Sequence, residues 1–257
     1  MYRNLKLTCD GRLARVTLDR PERRNAFSAE LMREMIAAAA ELAARRDVDA
    51  VVVSGSGGVF SAGADLKDAT RWAGGAPLLE QRETSGLGGR MARAWEELPQ
   101  VTIAAIEGYA IGGGLAFCAA LDWRVIASDA FVSLPEISLG IPLTWGTLPR
   151  LVNLVGPARA KRLAILCERV SAADALSMGL VDEVCEPGAA LAASEQWMKK
   201  ALEKPKHSVL MTKETINAYA SIGAHAVSHM ASDQLELAAA SPESRTARDA
   251  ALERRKQ

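Results

Sequence analysis

The stretch Gly108–Ala127, GYAIGGGLAFCAALDWRVIA, decides how the rest of the chain is read. Three successive glycines, 112 to 114, interrupt a segment that is otherwise apolar and helix-prone. Glycine gives up more backbone freedom on folding than any other residue, so a run of three inside regular structure is costly. Such a run is expected where something approaches the backbone closely, either a packed neighbour or a ligand. The stretch just before it, VTIAAIEG (Val101–Gly108), reads as a buried strand. Strand, glycine loop and helix start form the junction at which parallel α/β sheets present backbone N–H groups to a ligand.

The same order recurs upstream. In RLARVTLDR, Ala14, Val16 and Leu18 alternate with Arg15, Thr17 and Asp19, which predicts a strand with one wetter face. A helix follows, with Ser28 as N-cap, Glu30 in its first turn and Leu31, Met35, Ile36, Ala39 and Leu42 on one stripe. It ends at Arg45 and Arg46, charges that suit the negative end of the helix dipole. AVVVSG (Ala50–Gly55) predicts a second buried strand closed by a glycine loop. The pattern is that of an α/β protein with parallel strand pairing. From Gly156 onward the chain reads as mostly helical, broken near Pro205. The region from Asp68 to Glu97 is less regular and reads as a mobile or variable insert. One α/β core (residues 1–195) with a helical C-terminal portion (196–257) is expected.

Composition narrows the class. Among 257 residues, 31 basic and 31 acidic side chains cancel, so no net field favours nucleic acid or membrane surfaces. The 4 cysteines (Cys9, Cys118, Cys167, Cys185) lack CxxC spacing and suit free thiols in a reducing compartment. With no secretory signal pattern and no long apolar run, a soluble cytoplasmic protein is expected.

Three segments carry chemistry: GVFSAGADLKD (Gly58–Asp68), YAIGGGLAF, and FVSLPEISLGIPLTWG (Phe131–Gly146). Two glycine loops after neighbouring strands could aim two N–H groups at one oxygen. Losing one donor of such a pair typically costs ~3 to 4 kcal/mol of transition-state stabilisation. The glycines could equally serve close helix–strand packing. A phosphate cradle is disfavoured, because SGSGG lacks both GxxxxGK[ST] and a GxGxxG opening a helix. Glu136, a lone carboxylate amid apolar neighbours, reads either as a solvated loop acid or as a partly buried base of raised pKa. Cys118 reads as a small buried hydrophobe. His225 and His229 stand four apart without the acidic partner of a metal site, so no metal is expected.

Taken together, these segments resemble the crotonase superfamily, whose commonest members are enoyl-CoA hydratases and isomerases. The resemblance runs from VTLDRPERRNAFSAELMREM through FSAGADLK, GYAIGGGL and PEISLGI to GPARAKRLAILCERVSAADALSMGLVDEV, and on to MTKETINA and RDAALERRKQ. It implies a crotonase-like spiral of ββα units with a helical C-terminal trimerisation portion, assembled as a homotrimer or a dimer of trimers. It implies an acyl-CoA thioester as substrate, with no separate cofactor. The oxyanion-hole N–H groups would be those of Ala64 and Gly113. Arg23, Arg24 and Ala26, with Ala62, Asp65 and Leu66, would meet the CoA moiety, and Ala116, Pro135 and Trp145 would line the acyl pocket. Trp145 reads equally as a core tryptophan.

The chain departs from the hydratase pattern at one place. Typical hydratases resembling it carry a glutamate two residues after the triple glycine and a second at the position of Glu136, and the pair handles water and proton. Here the first place holds Ala116. One carboxylate suffices to remove a proton α to a thioester and return it at Cγ, so an isomerase is expected ahead of a hydratase. A hydratase with a weakened or rearranged acid–base pair, and a non-catalytic acyl-CoA-binding protein, are the alternatives. An exposed Glu136 facing away from the glycine loops would favour the binding protein.

Overall fold

The structure is a computed structural model that describes residues 2–68 and 77–254. Strands β1 (Leu5–Asp10) and β2 (Leu13–Leu18) form an antiparallel hairpin that turns at Gly11, where φ is +57°. The alternation on β2 holds, with Ala14, Val16 and Leu18 fully buried. Helix α1 (Ala29–Ala44) starts where Ser28 Oγ accepts the Leu31 N–H at 3.2 Å, a cap worth about 1 kcal/mol. It buries Leu31, Met35, Ala39 and Leu42, together with Met32, while Ile36 sits at the edge of the stripe.

Strand β3 (Ala50–Gly55) leads towards two helices, α2 (Leu78–Ser85) and α3 (Leu87–Glu96). Then come β4 (Val101–Ile106), β5 (Tyr109–Ile111), the short helix α4 (Gly113–Cys118), β6 (Trp123–Ala127) and β7 (Phe131–Ser133). Helix α5 (Thr147–Leu166), β8 (Val170–Ser171), α6 (Ala172–Ser177) and β9 (Glu183–Cys185) complete the core. The main sheet has 6 strands in the order β1-β2-β3-β4-β6-β9, and every pairing after the hairpin is parallel. A second sheet of 3 strands, β5-β7-β8, collects the short strand that follows β4 and the one that follows β6. A long strand, a short strand and a helix therefore repeat along the chain, as in a crotonase-like spiral.

Both faces of the main sheet are covered. Val51 and Val53 of β3 point into the larger core with α1 and Trp95. Ala50 and Val52 point to the other side, against helix α7 (Ala190–Leu202) through Ala190 and Met198. This two-sided burial explains why β3 and β4 read as unbroken apolar runs. The expected boundary at residue 195 falls inside α7.

The expected insert resolves differently. Its residues 69–76 lie outside the described residues, but most of 77–97 is helical. Met91 and Trp95 are fully buried, and Trp95 Nε1 donates to the Met35 carbonyl at 2.9 Å. The glycines of SGLGG suggested irregular chain, and tertiary packing overrode that local preference.

The C-terminal portion is helical as expected: α8 (Lys206–Ala220), α9 (Ala224–Ser228), α10 (Ala231–Ala240) and α11 (Pro242–Arg254). Lys213, only 8% exposed, fastens α8 to the core. Its ammonium donates to the Gln100 carbonyl and to Asp122 Oδ2, both at 2.7 Å. Burial pushes the Lys213 pKa down, and the Asp122 carboxylate opposes that. Helix α10 is tied to α2 by the Arg82–Asp233 ion pair at 2.9 Å and by Ser85 Oγ donating to Glu236 at 2.7 Å. No described helix is long and apolar enough to cross a membrane.

Candidate active site

The first glycine loop is zipped to the segment ahead of α1 through its backbone. Ala62 N–H donates to the Arg24 carbonyl at 2.9 Å, Phe27 N–H to Gly63 at 2.8 Å and Asp65 N–H to Phe27 at 3.0 Å. Arg24 and Asn25 both take φ of +52°, a left-handed conformation that side chains rarely adopt. Asn25 supports it by donating from Nδ2 to the Ser56 and Val59 carbonyls. Ser61 Oγ donates to Asn25 O at 2.8 Å and accepts from Gly63 N–H at 3.1 Å.

The second loop lies beside the first. Ser61 N–H donates to Tyr109 O and Ile111 N–H to Ser61 O, while Gly112 N–H donates to Ser133 O at 2.8 Å. These bonds engage the amides around the two loops. Those of Ala64 and Gly113 have no protein acceptor among the described residues. Gly113 N–H belongs to the first turn of α4, where helical amides have no intrahelical partner. The two amides lie close together: a Cβ built on Gly113 would stand 3.3 Å from Ala64 N, and one built on Gly63 would stand 3.2 Å from Gly113 N.

Glu136 opens the turn Ile137–Leu139, and its carbonyl accepts the Leu139 and Ile141 amides at 2.9 Å each. That turn aims the side chain at the second loop. A Cβ on Gly112 would lie 2.5 Å from Glu136 Oε1, so this glycine is required for the carboxyl to sit where it does. The residue is half-buried as a whole, yet Oε2 is shielded from solvent and has no hydrogen-bond partner. Burial pushes the Glu136 pKa up to about 7. A buried carboxyl with a pKa near neutrality and one oxygen unpartnered can give up or take a proton at little cost.

These groups share one cavity. Ala62, Ala64 and Leu66 from the first loop line it, as do Gly113 and Ala116 from the second. Pro135, Glu136 and Trp145 close it, with Leu235 of α10. Glu136 is the one titratable side chain on its wall among the described residues. Ala116 is 3% exposed and presents only a methyl group.

The residues expected to meet CoA divide. Ala62 and Leu66 reach the cavity; Arg23 and Arg24 are exposed, and the Arg24 carbonyl accepts the Ala62 amide. Ala26 and Asp65 are buried instead. The Asp65 carboxylate pairs with Arg20 at 3.1 Å and accepts from Lys67 N–H, and Arg20 also donates to Ala26 O. Arg20 thus orders this loop from within, a role that its place among other arginines in RPERRNAF concealed. Leu235 was also missed from the sequence, since it lies in no recognisable motif. Cys118 is fully buried, and burial pushes its thiol pKa up. His229 is exposed, with Nδ1 2.9 Å from Ala226 O, while the side chain of His225 lies outside what is described.

With this geometry in hand, the relatives fix the class. Residues 9–257 match the family described as Enoyl-CoA hydratase/isomerase. The chain is 33% identical over 215 residues to a protein of Clostridium acetobutylicum named Short-chain-enoyl-CoA hydratase, covering 83% of this chain and 81% of that one. It is 30% identical over 256 residues to a Crotonyl-CoA hydratase of Syntrophomonas wolfei, covering 99% and 97%. A solved enoyl-CoA hydratase from Mycobacterium avium subsp. paratuberculosis superimposes with a TM-score of 0.88 at 25% identity, over 99% of this chain and 97% of that one. The fold is that of the crotonase superfamily. The chain belongs to its enoyl-CoA hydratase/isomerase family.

Proposed function

We propose that the protein moves the double bond of an enoyl-CoA thioester, with Glu136 as the sole acid–base group and the Ala64 and Gly113 amides as the oxyanion hole. Glu136 takes the proton from Cα of a 3-enoyl thioester. The electron pair delocalises into the thioester oxygen, where the two amides stabilise the dienolate. Glu136 then returns the proton at Cγ, and the double bond ends between Cα and Cβ. The exposed Arg23 and Arg24 would meet the phosphates of CoA with charge-assisted hydrogen bonds.

The observation that carries this reading is the pairing of Glu136, whose Oε2 is buried without a partner, with a methyl group at Ala116 on the same cavity wall. Hydration requires a second group to orient water while the first handles the proton. The names of the relatives favour the second reading, a hydratase. Purified protein supplied separately with 2-enoyl-CoA and 3-enoyl-CoA decides between them. Migration should outpace hydration, and efficient hydration with no migration would refute the proposal.

Ala116→Glu is expected to gain hydratase activity by restoring the paired carboxylates. The gain should be small, because the cavity is shaped for a methyl group and a misplacement of about 1 Å can cost ~100-fold. Hydration of crotonyl-CoA, followed by loss of its ultraviolet absorbance, checks this.

For the assembly we infer a homotrimer or a dimer of trimers. On and just after α8, Met211, Ile216, Tyr219 and Ile222 are each at least 60% exposed, an apolar face of the kind that oligomers cover. Light scattering at micromolar concentration should report three or six copies, and a stable monomer would contradict it.

A further inference from the structure

We propose that Trp145 is the rear wall of the acyl site and confines it to short-chain acyl groups. This rests on the acyl-CoA reading and adds the substrate class. The indole lies in a slot between two glycines on different elements. A Cβ on Gly88 of α3 would fall 1.9 Å from Trp145 Cε2, and one on Gly113 would fall 2.5 Å from Cη2. Glycine inside a helix is unfavourable. The ring packed on Gly88 accounts for its presence in SGLGG. The same ring therefore lies beside the amide proposed to hold the thioester oxygen, where the first carbons of an acyl chain must pass.

The indole is held firmly. Phe27 meets it edge-on, with ring centroids 5.8 Å apart at 86°. Its own backbone is left-handed at φ +62°, unusual for a bulky residue and found where surrounding contacts impose it. Arg150 supplies such a contact, donating from Nη1 to the Trp145 carbonyl at 2.6 Å. The same guanidinium grips both oxygens of Glu96 on α3, at 2.8 and 2.7 Å. The residue that carries the ring is thus clamped to the helix that supplies one wall of its slot.

The wall separates two spaces. In front lies the cavity bearing Glu136, with room of about 60 Å³. Behind lies a cleft of about 570 Å³ between α3 and the C-terminal helices, and Trp145 lines both. With the indole in place, an acyl chain meets an aromatic plane soon after the thioester. A smaller side chain frees the volume of the ring and opens the way to the cleft. A methylene fully buried from water gains at most about fourfold in affinity, and because Arg90, Arg93 and Glu97 also line the cleft, the gain per methylene there falls below that ceiling.

The test uses saturated butanoyl-, octanoyl- and dodecanoyl-CoA, which cannot undergo the reaction, titrated calorimetrically into wild type, Trp145→Leu and the milder Trp145→Phe. Circular dichroism and a melting curve establish that each variant is folded. Wild type should bind butanoyl-CoA at least as tightly as octanoyl-CoA. Trp145→Leu should raise the octanoyl-to-butanoyl affinity ratio about tenfold or more, and Trp145→Phe should raise it less. Wild type binding longer chains progressively more tightly would overturn the wall without any variant, as would a folded Trp145→Leu with an unchanged ratio. A folded wild type that binds none of the three overturns the acyl-CoA reading itself, and the wall with it.

Discussion

Glu136→Gln should lose double-bond migration by about 10²- to 10⁴-fold, the usual contribution of a positioned acid–base group. The loss should fall on kcat, because glutamine keeps the shape of the side chain beside Gly112 and leaves the Ala64 and Gly113 amides in place. A variant keeping more than a tenth of wild-type turnover would show that another group moves the proton. Wild-type activity should rise with pH through about 7, since only the ionised carboxylate can accept a proton.

The same substitution has an opposite effect on stability. Burial raises the Glu136 pKa from 4.5 to about 7, so between those values the folded protein holds a proton that the unfolded chain has released. Folding stability then falls as pH rises through that window and stays reduced above it. Glutamine carries no such penalty. Relative to wild type, Glu136→Gln should gain stability from pH 4.5 to about 7, by up to roughly 3 kcal/mol at 1.36 kcal/mol per pKa unit. Melting curves at pH 5 and pH 8 check the sign. A difference from wild type that does not change between the two pH values would mean that the carboxyl is ordinarily solvated, and a variant that loses ground as pH rises would mean that the wild-type carboxylate is stabilised by a partner.

Lys213→Met should be the most destabilising single change in the C-terminal portion. It removes the ammonium while leaving Asp122 and the Gln100 carbonyl half-served in a dry setting. Breaking a buried pair from one side costs about 3 to 5 kcal/mol. At ~2 to 4 °C per kcal/mol for a chain of this size, the melting temperature should drop by roughly 10 °C. Asp122 still receives the Thr102 amide at 2.7 Å, which sets the lower end of the range. Combining Lys213→Met with Asp122→Asn should cost less than the sum of the separate changes, because no charge is then stranded. A loss under ~1 kcal/mol for the single change would show that water reaches the pair.

The features visible in the sequence were those that depend on local pattern. The period-two alternation of β2, the Ser28 cap and the unbroken apolar runs of β3 and β4 each follow from short-range physics, and each was found where expected. Glu136 was visible as a lone carboxylate among apolar residues, but that pattern fits a solvated loop acid as well as a buried base, and the resemblance singled it out. What stayed hidden was set by distant pairings. The helices between 77 and 97 form because Trp95 and Met91 find a core made by α1, although SGLGG locally disfavours helix. The resemblance assigned Asp65 to CoA, and the ion pair of its carboxylate with Arg20, 45 residues earlier, had no signal in the sequence. Trp145 remained ambiguous between wall and core, because its neighbours Gly88 and Phe27 lie far away in sequence.

The triple glycine that opened the sequence reading answers to three different neighbours. At 112 an added methyl would strike the Glu136 carboxyl, at 113 the Trp145 indole, and at 114 the Ser61 carbonyl at 2.9 Å. If Glu136 and Trp145 act as proposed, a methyl group is expected to affect a different trait at each place: turnover at the first position, ligand fit at the second and loop placement at the third. A genetic screen that scores only survival would rank all three glycines as equally intolerant and conceal the distinction. For the same reason, no single suppressor elsewhere in the chain can rescue alanine at every one of them. At 112 the left-handed φ of +53° strains any side chain, so shortening the acid would not suffice, whereas a change for 113 must trim the indole and one for 114 must reshape the Ser61 loop.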